Sequence, residues 1–239
     1  MKGTEGVTIV TCTNRPDFFS NILENYRSQL HKKKELIIVL NKDSMKLAEY
    51  RRKAAAYRNV AVYRMPEKAT LGQCLNFGFS KMKYAYAAKF DDDDYYSPYY
   101  LTGQMQAMKD SGADLVGKRA YLAYLESRKL LILRFPREQN TVVRRVAGGT
   151  LLFRKRVLDK VRFGSLTVGE DVDFLNRCRK AGFRLYAPGP YNYVQIRRGD
   201  KSGHTWRAGD RRLMKGSRTI ARTRDYRRWA AHRSPYEML

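Results

Sequence analysis

The stretch Tyr84-Ala-Tyr-Ala-Ala-Lys-Phe-Asp-Asp-Asp-Asp-Tyr-Tyr-Ser-Pro98 decides how this chain is read. Its first half, residues 85–90, has the apolar pattern of a strand. That strand ends on four consecutive aspartates, Asp91 to Asp94, before Ser97 and Pro98 turn the chain. Packed carboxylates repel, and each makes its neighbour harder to ionise unless a cation binds. The surroundings are strongly cationic, with 48 Lys and Arg against 23 Asp and Glu and a formal net charge of +25. An acidic run held at a strand's end in such a chain points to a hard divalent cation and the phosphates it carries. The alternative is a solvated acidic loop.

Working outward, strand-like and helix-like segments alternate. Residues 7–12, 35–40 and 60–63 read as strands, the second nearly continuous and apolar as in a buried parallel sheet. Residues 17–30, with Phe18, Ile22, Tyr26 and Leu30 at helical spacing, and residues 44–57 and 71–82 read as helices. This alternation predicts a parallel, right-handed βαβ sheet of the α/β class. Ligands of such sheets bind at the carboxyl ends of strands, where the aspartates fall. Farther on, residues 99–110 suit a helix, and 113–124 with 130–135 suit a hairpin. Residues 142–153 suggest a strand with a flexible glycine pair, 154–161 and 171–181 read as helices, and 184–187 as the last strand. Gly182 closes the helix before it.

A length of 239 residues suits one sizeable domain, and 43% hydrophobic residues is a globular composition. No apolar run is long enough to span a bilayer, and the N-terminus lacks a signal-peptide layout. Cys12, Cys74 and Cys178 have neither metal-ligand nor disulfide-framework spacing. A reduced, cytoplasmic protein is expected. The charge implies polyanionic partners: nucleic acid, anionic lipid, acidic polysaccharide or nucleotide diphosphates. The densest basic block, residues 207–239, has Leu213, Met214, Ile220, Tyr226 and Trp229 interspersed. It is read as a basic, helical C-terminal tail beyond a domain of residues 1–206, either a solvated helix packed on the domain or a segment that holds the chain near an acidic acceptor glycan or the anionic inner face of a membrane.

Two further motifs carry chemistry. Gly169-Glu-Asp-Val-Asp173 opens a helix, where the dipole stabilises carboxylates. A cap accounts for one acid but not three, so one carboxylate is a candidate general base. In Thr70-Leu-Gly-Gln-Cys-Leu-Asn-Phe-Gly78, Gly72 and Asn76 are placed to let backbone amides approach a ligand, or simply to cap a helix.

Taken in order, these pieces resemble the family-2 glycosyltransferases of the GT-A fold over roughly residues 6 to 206. The resemblance rests on Thr8-Ile-Val-Thr-Cys-Thr-Asn-Arg15, the 35–39 strand, Leu71-Gly-Gln-Cys-Leu-Asn-Phe-Gly78, Phe90 to Pro98, Gly148-Gly-Thr-Leu-Leu-Phe-Arg154 and Gly169-Glu-Asp-Val-Asp-Phe-Leu-Asn-Arg177. It implies a Rossmann-like, mostly parallel mixed sheet flanked by helices, and an inverting transfer of sugar from a nucleotide-sugar to a hydroxyl of a glycan or other acceptor. Asp93 with Asp91 would hold Mn2+ or Mg2+, and Asp92 would lie near the donor ribose. Asp171 would be the base, Glu170 would support it or bind acceptor, and Asp173 would pair with Arg177. Thr11, Thr13, Asn14, Arg15, Asn41, Gly72, Asn76 and Arg198 would line the nucleotide-sugar site. Arg197, Arg198 or His204 would meet the diphosphate, and His204 is also a candidate metal ligand. The general look is that of bacterial surface- or spore-glycan enzymes.

Where the family has adjacent aspartates after its second strand, one of which reads the base, this chain has Leu40-Asn-Lys-Asp-Ser44, with Asn41 or Asp43 as the substitute, so a UDP-sugar is the default donor by family frequency only. The segment from Tyr193 to Trp206 is read as a loop after the last strand, only distantly like the Gln-x-x-Arg-Trp loop of processive members. Two other classes compete. A nucleic-acid-binding protein would use the +25 charge and 17 tyrosines, but the aspartates would repel a phosphate backbone. A GT-A-like nucleotidyltransferase would release pyrophosphate instead of a nucleoside diphosphate.

Overall fold

The computed structural model describes residues 5–199 and 209–232. The expected alternation runs through β1 (Val7–Thr13), α1 (Phe19–Ser28), β2 (Lys34–Leu40), α2 (Leu47–Ala54), β3 (Val60–Arg64), α3 (Leu71–Ser80) and β4 (Tyr86–Lys89). β1 lies between β2 and β4, and β2 pairs with β3, all in parallel. Successive strand residues point to opposite faces. Val7, Ile9, Leu36 and Ile38 therefore join a core with Phe19, Ile22 and Tyr50. Val10, Ile37 and Val39 pack on the other side against Cys74, Leu75 and Phe79 of α3. Both faces are apolar, which is why β2 reads as a continuous hydrophobic run.

After the aspartates come β5 (Tyr95–Tyr96), α4 (Tyr100–Ser111), β6 (Leu115–Val116), β7 (Tyr121–Leu125), β8 (Leu130–Arg134), β9 (Thr141–Val142) and β10 (Leu152–Arg154). They are followed by α5 (Val157–Lys160), α6 (Glu170–Lys180), β11 (Leu185–Ala187), β12 (Tyr193–Arg197), α7 (Asp210–Met214), β13 (Arg218–Arg222) and α8 (Arg227–Ala230). The first sheet has the order β3-β2-β1-β4-β10-β6-β11-β9, and a second sheet has the order β13-β8-β7-β12-β5. The first sheet is mixed, since β10 runs antiparallel to β4 and β6. The inner face of the second sheet (Tyr121, Ala123, Leu125, Ile132, Tyr193) shares the first core. The fold class is thus the expected one.

Several expected elements differ. The strand expected over 113–124 is two strands in different sheets. The break at Gly117 and Lys118 is held by bonds to the Tyr186 carbonyl and the Thr150 hydroxyl. Residues 142–153 hold β9, a 3-10 turn at Gly148–Thr150 and β10 in place of one strand. Tyr193–Arg197, read as loop, is β12, paired in parallel with β7 and antiparallel with β5. The block read as a helical tail contains β13, an antiparallel partner of β8, between two short helices. Its alternating basic and small residues look helical in composition, but the free edge of β8 supplies a hydrogen-bonding partner. No helix among the described residues is long and apolar enough to cross a membrane.

Candidate active site

The carboxyl ends of β1 and β4 lie side by side, which brings Thr13, Arg15 and the aspartates together. Asp92 is buried. It accepts a hydrogen bond from the Thr13 hydroxyl (2.6 Å), another from Arg15 Nε (3.1 Å), and pairs with the Arg15 guanidinium. Asp93 faces Arg15 Nη1 at 2.9 Å and Arg198 Nη1 at 3.8 Å, and its carbonyl accepts from Arg198 Nη2 at 3.0 Å. Both guanidinium carbons lie against the Phe18 ring, at 4.5 and 4.4 Å. Burial works against the Arg15 charge, but Asp92 and Asp93 outweigh it and hold the group protonated well above its ordinary value. Asp94 turns inward. Its carboxylate accepts from the Tyr193 hydroxyl (2.5 Å) and the Ile196 amide (2.9 Å), and burial pushes its pKa well up.

Asp91 points elsewhere, toward the second acidic motif. It pairs with Lys89, whose ammonium is buried and also lies 3.9 Å from Glu170 Oε1. Burial opposes the Lys89 charge, while Asp91, Glu170 and Asp171 together raise its pKa. Burial pushes Glu170 up to about 7, with Lys89 opposing and Asp171 and Asp91 adding to the shift. Asp171, half-buried on the first turn of α6, lies against Gly148. A Cβ at Gly148 would collide with the Asp171 carboxylate, and one at Gly149 would lie 2.5 Å from Asp91 Oδ2. The Tyr96 hydroxyl locks this junction, donating to the Gly149 carbonyl (2.6 Å) and accepting from the Asp91 amide (2.8 Å). The two acidic motifs therefore converge on a pair of glycines that neither could approach if side chains stood there.

The other sequence-selected residues do not all join the acidic site. Thr13, Arg15 and Arg198 join the aspartates as described. Asn14 is exposed at the same edge, Asn41 bonds to the Pro66 carbonyl at 2.7 Å, and the Thr11 hydroxyl is buried with no bonding partner among the described residues. Gly72 and Asn76 meet protein backbone. The Gly72 amide donates to the Leu166 carbonyl at 2.9 Å, and the Asn76 side chain bonds both the carbonyl and the amide of Phe163, at 2.8 and 3.0 Å. Asp173 pairs with Arg177 at 2.6 Å. His204 and Trp206 lie outside the described residues. Sequence reading missed Lys89, Tyr96 and the packing role of Gly148 and Gly149. Only Lys89 left a signal: a lone cation closing an apolar strand just before four carboxylates.

Asp93 and Asp91 both carry the hard oxygen donors a divalent cation needs, but they hold different partners here, Asp93 on Arg15 and Arg198 and Asp91 on Lys89. Among the described residues no three Asp, Glu, His or Cys side chains gather closely enough to cage one. The donor set fits an ion held by one or two carboxylates and completed by substrate phosphates, the usual arrangement for Mg2+.

The carboxyl ends of a mixed α/β sheet thus carry buried and paired carboxylates beside basic side chains. The pattern of glycosyl transferase family 2 matches residues 7–162, and the chain belongs to that family. No curated protein is similar enough to count as a match. Among solved structures, S. aureus TarS 1-349 in complex with UDP-GlcNAc superposes with a TM-score of 0.66 at 14% identity, covering 84% of this chain and 62% of that one. The mannosyltransferase PcManGT from Pyrobaculum calidifontis, in complex with GDP-Man and Mn2+, gives 0.62 at 17% identity, covering 82% and 58%. The chain thus spans about three-fifths of these two chains and 37% of the longer TarS chain, and at such identities the likeness establishes the GT-A fold.

Proposed function

We propose that the chain transfers a sugar from a nucleotide-sugar to a hydroxyl of a glycan acceptor, with inversion and with the help of a divalent metal. The convergence of Asp91 and Asp171 on Gly148 and Gly149 carries this reading, because it sets a candidate base beside the carboxylates of the diphosphate side. Asp171 is the half-buried acid an acceptor can reach, whereas Glu170 is buried against Lys89. In the step, Asp171 takes the proton of the acceptor hydroxyl as its oxygen forms a bond to the anomeric carbon. The bond from that carbon to the phosphate oxygen breaks, and its electron pair leaves on the nucleoside diphosphate. Arg15 and Arg198, now on Asp93, are placed to meet the diphosphate charge. Asp92, held by Thr13 and Arg15, would face the ribose. Mn2+ or Mg2+, when bound to Asp93 and Asp91, would act as a Lewis acid on the leaving diphosphate. The Mn2+ of the PcManGT complex supports a divalent ion in this fold.

The test is a panel of UDP- and GDP-sugars, with and without Mn2+, read by release of nucleoside diphosphate. Asp93→Asn and Asp171→Asn are each expected to abolish transfer while leaving the unfolding curve in place. Transfer that survives Asp171→Asn would remove the base assignment, and release of pyrophosphate would move the chain to the nucleotidyltransferases.

A further inference from the structure

The segment after β13 is a strap across the outer face of the second sheet. It starts at Thr223, whose amide donates to the Lys129 carbonyl (2.8 Å) and whose carbonyl accepts from the Tyr124 hydroxyl (3.0 Å). Midway, the Tyr226 ring packs on Tyr124 and Tyr95 at centroid distances of 4.8 and 5.7 Å. At its far end Ala230 is buried and its carbonyl accepts from the Asn192 amide, while Asn192 exchanges two side-chain bonds with the His232 backbone. Tyr226 and Ala230 complete the apolar cluster of Leu122, Leu131, Leu133 and Val194. The strap is therefore amphipathic across its thickness. Arg224, Arg227, Arg228 and Trp229 are exposed on it, with Trp229 at 39%, and Arg222 is exposed at the end of β13 just before it. Residues 209–232 carry eight Lys and Arg against two Asp, and Asp225 spends one carboxylate oxygen on the Arg227 amide.

We propose that this strap is a docking surface for the headgroup layer of an anionic bilayer. Anchoring at both ends orders the backbone that carries the arginines and the indole, so binding costs only their side-chain freedom, with Arg227 lying 5.5 Å from the Tyr95 ring and Arg228 5.4 Å from that of Trp229. Arginines satisfy lipid phosphates, and an indole at the same level is the side chain that favours the headgroup boundary. An acidic polysaccharide would use the arginines but has no apolar layer for Trp229, which tips the choice toward lipid; a nucleic acid, whose bases could stack on the indole, is the competitor that the test below separates. The surface belongs to the sheet itself and cannot be removed as a tail. Its binding is read without substrate, so it stands or falls separately from glycosyl transfer.

The full chain is co-sedimented with vesicles of phosphatidylcholine alone or mixed with phosphatidylglycerol. The Trp206→Phe variant leaves Trp229 as the only indole, so that its emission reports its surroundings. Expected are partition only onto the phosphatidylglycerol vesicles, a blue shift of Trp229 on binding, and a loss of about fivefold per neutralised arginine, or about thirtyfold for Arg227→Gln with Arg228→Gln. Equal partition onto both vesicles, or an unchanged affinity in the double variant, overturns the proposal. So does an acidic polysaccharide or nucleic acid that binds while vesicles leave Trp229 emission unmoved. Unfolding curves of each variant show that the strap is still in place.

Discussion

Lys89 closes an apolar strand, and its ammonium is buried between Asp91 and Glu170. Breaking such a buried pair from one side leaves uncompensated charge and costs about 3–5 kcal/mol. Lys89→Met should therefore destabilise the fold by that order and depress transfer, since both acidic motifs lose their shared counter-ion. Adding Glu170→Gln should restore part of the stability without restoring transfer, as urea unfolding and a transfer assay would show. A second buried lysine behaves differently. Lys118 pairs with no carboxylate among the described residues: its ammonium donates to the Gly189 carbonyl at 2.5 Å, and burial lowers its pKa to about 7 from 10.5. Between these values the unfolded chain binds a proton that the folded chain does not. Stability should then rise with pH from about 7 toward 10, by at most roughly 1.4 kcal/mol per unit from this group. Lys118→Met should flatten that rise in unfolding curves taken at pH 7, 8 and 9.

At the scale of elements, α3 and the loop before α6 are joined backbone to backbone. The helix is started by a capping box between Thr70 and Gln73, and Gly72 is so close to the Gly164 carbonyl that a Cβ would collide with it. Asn76→Ala strips two bonds from the Phe163 backbone and should cost about 1–3 kcal/mol. If the residue serves packing, donor KM should stay unchanged while the melting temperature falls; a raised KM at unchanged stability would return it to the donor site. Gly148→Ala is the converse case. The atom it would strike belongs to the movable Asp171 side chain, so stability should barely change, while kcat should fall by about tenfold to a hundredfold if Asp171 is the base proposed above. These elements also show what was legible. β1 to β4 and α1 to α3 declare themselves because each buries a local pattern of apolar residues, and both acidic motifs stand out against a basic chain. β5 and β12 do not, because Tyr95–Tyr96 is a strand only where Tyr193–Arg197 passes it, and Arg197 at the end of β12 with Arg198 just beyond it look like loop until Asp93 is seen opposite Arg198. Lys89–Glu170 and the Gly148–Asp171 approach join residues distant in sequence, and no local pattern encodes them.

For the molecule as a whole, Asp94 is where the two sheets are tied. Its carboxylate receives Tyr193 and Ile196 of the second sheet, while its carbonyl receives the Asn21 and Asn25 side chains of α1, at 3.0 and 2.9 Å. Around it Phe90 stacks on Tyr96 at 3.8 Å, and Tyr193 meets Tyr96 at 5.3 Å and Tyr121 at 6.1 Å. The first sheet is covered by helices on one side and by helices and the second sheet on the other. The second sheet reaches the acidic run through this junction and through Arg198. Asp94→Ala would strand a buried hydroxyl and a buried amide, at about 1–3 kcal/mol each. Because α1 and β1 to β3 keep their own contacts, the loss should be unequal. Hydrogen exchange should quicken first in Tyr121–Leu125, Leu130–Arg134 and Tyr193–Arg197, with Val7–Thr13 and Lys34–Leu40 still protected. Uniform loss of protection across both sheets would mean that they open as one cooperative unit, with Asp94 one contact among many. The unequal result would make Asp94 the hinge, with transfer falling in step with the opening of β12 because Arg198 leaves Asp93 when that strand moves.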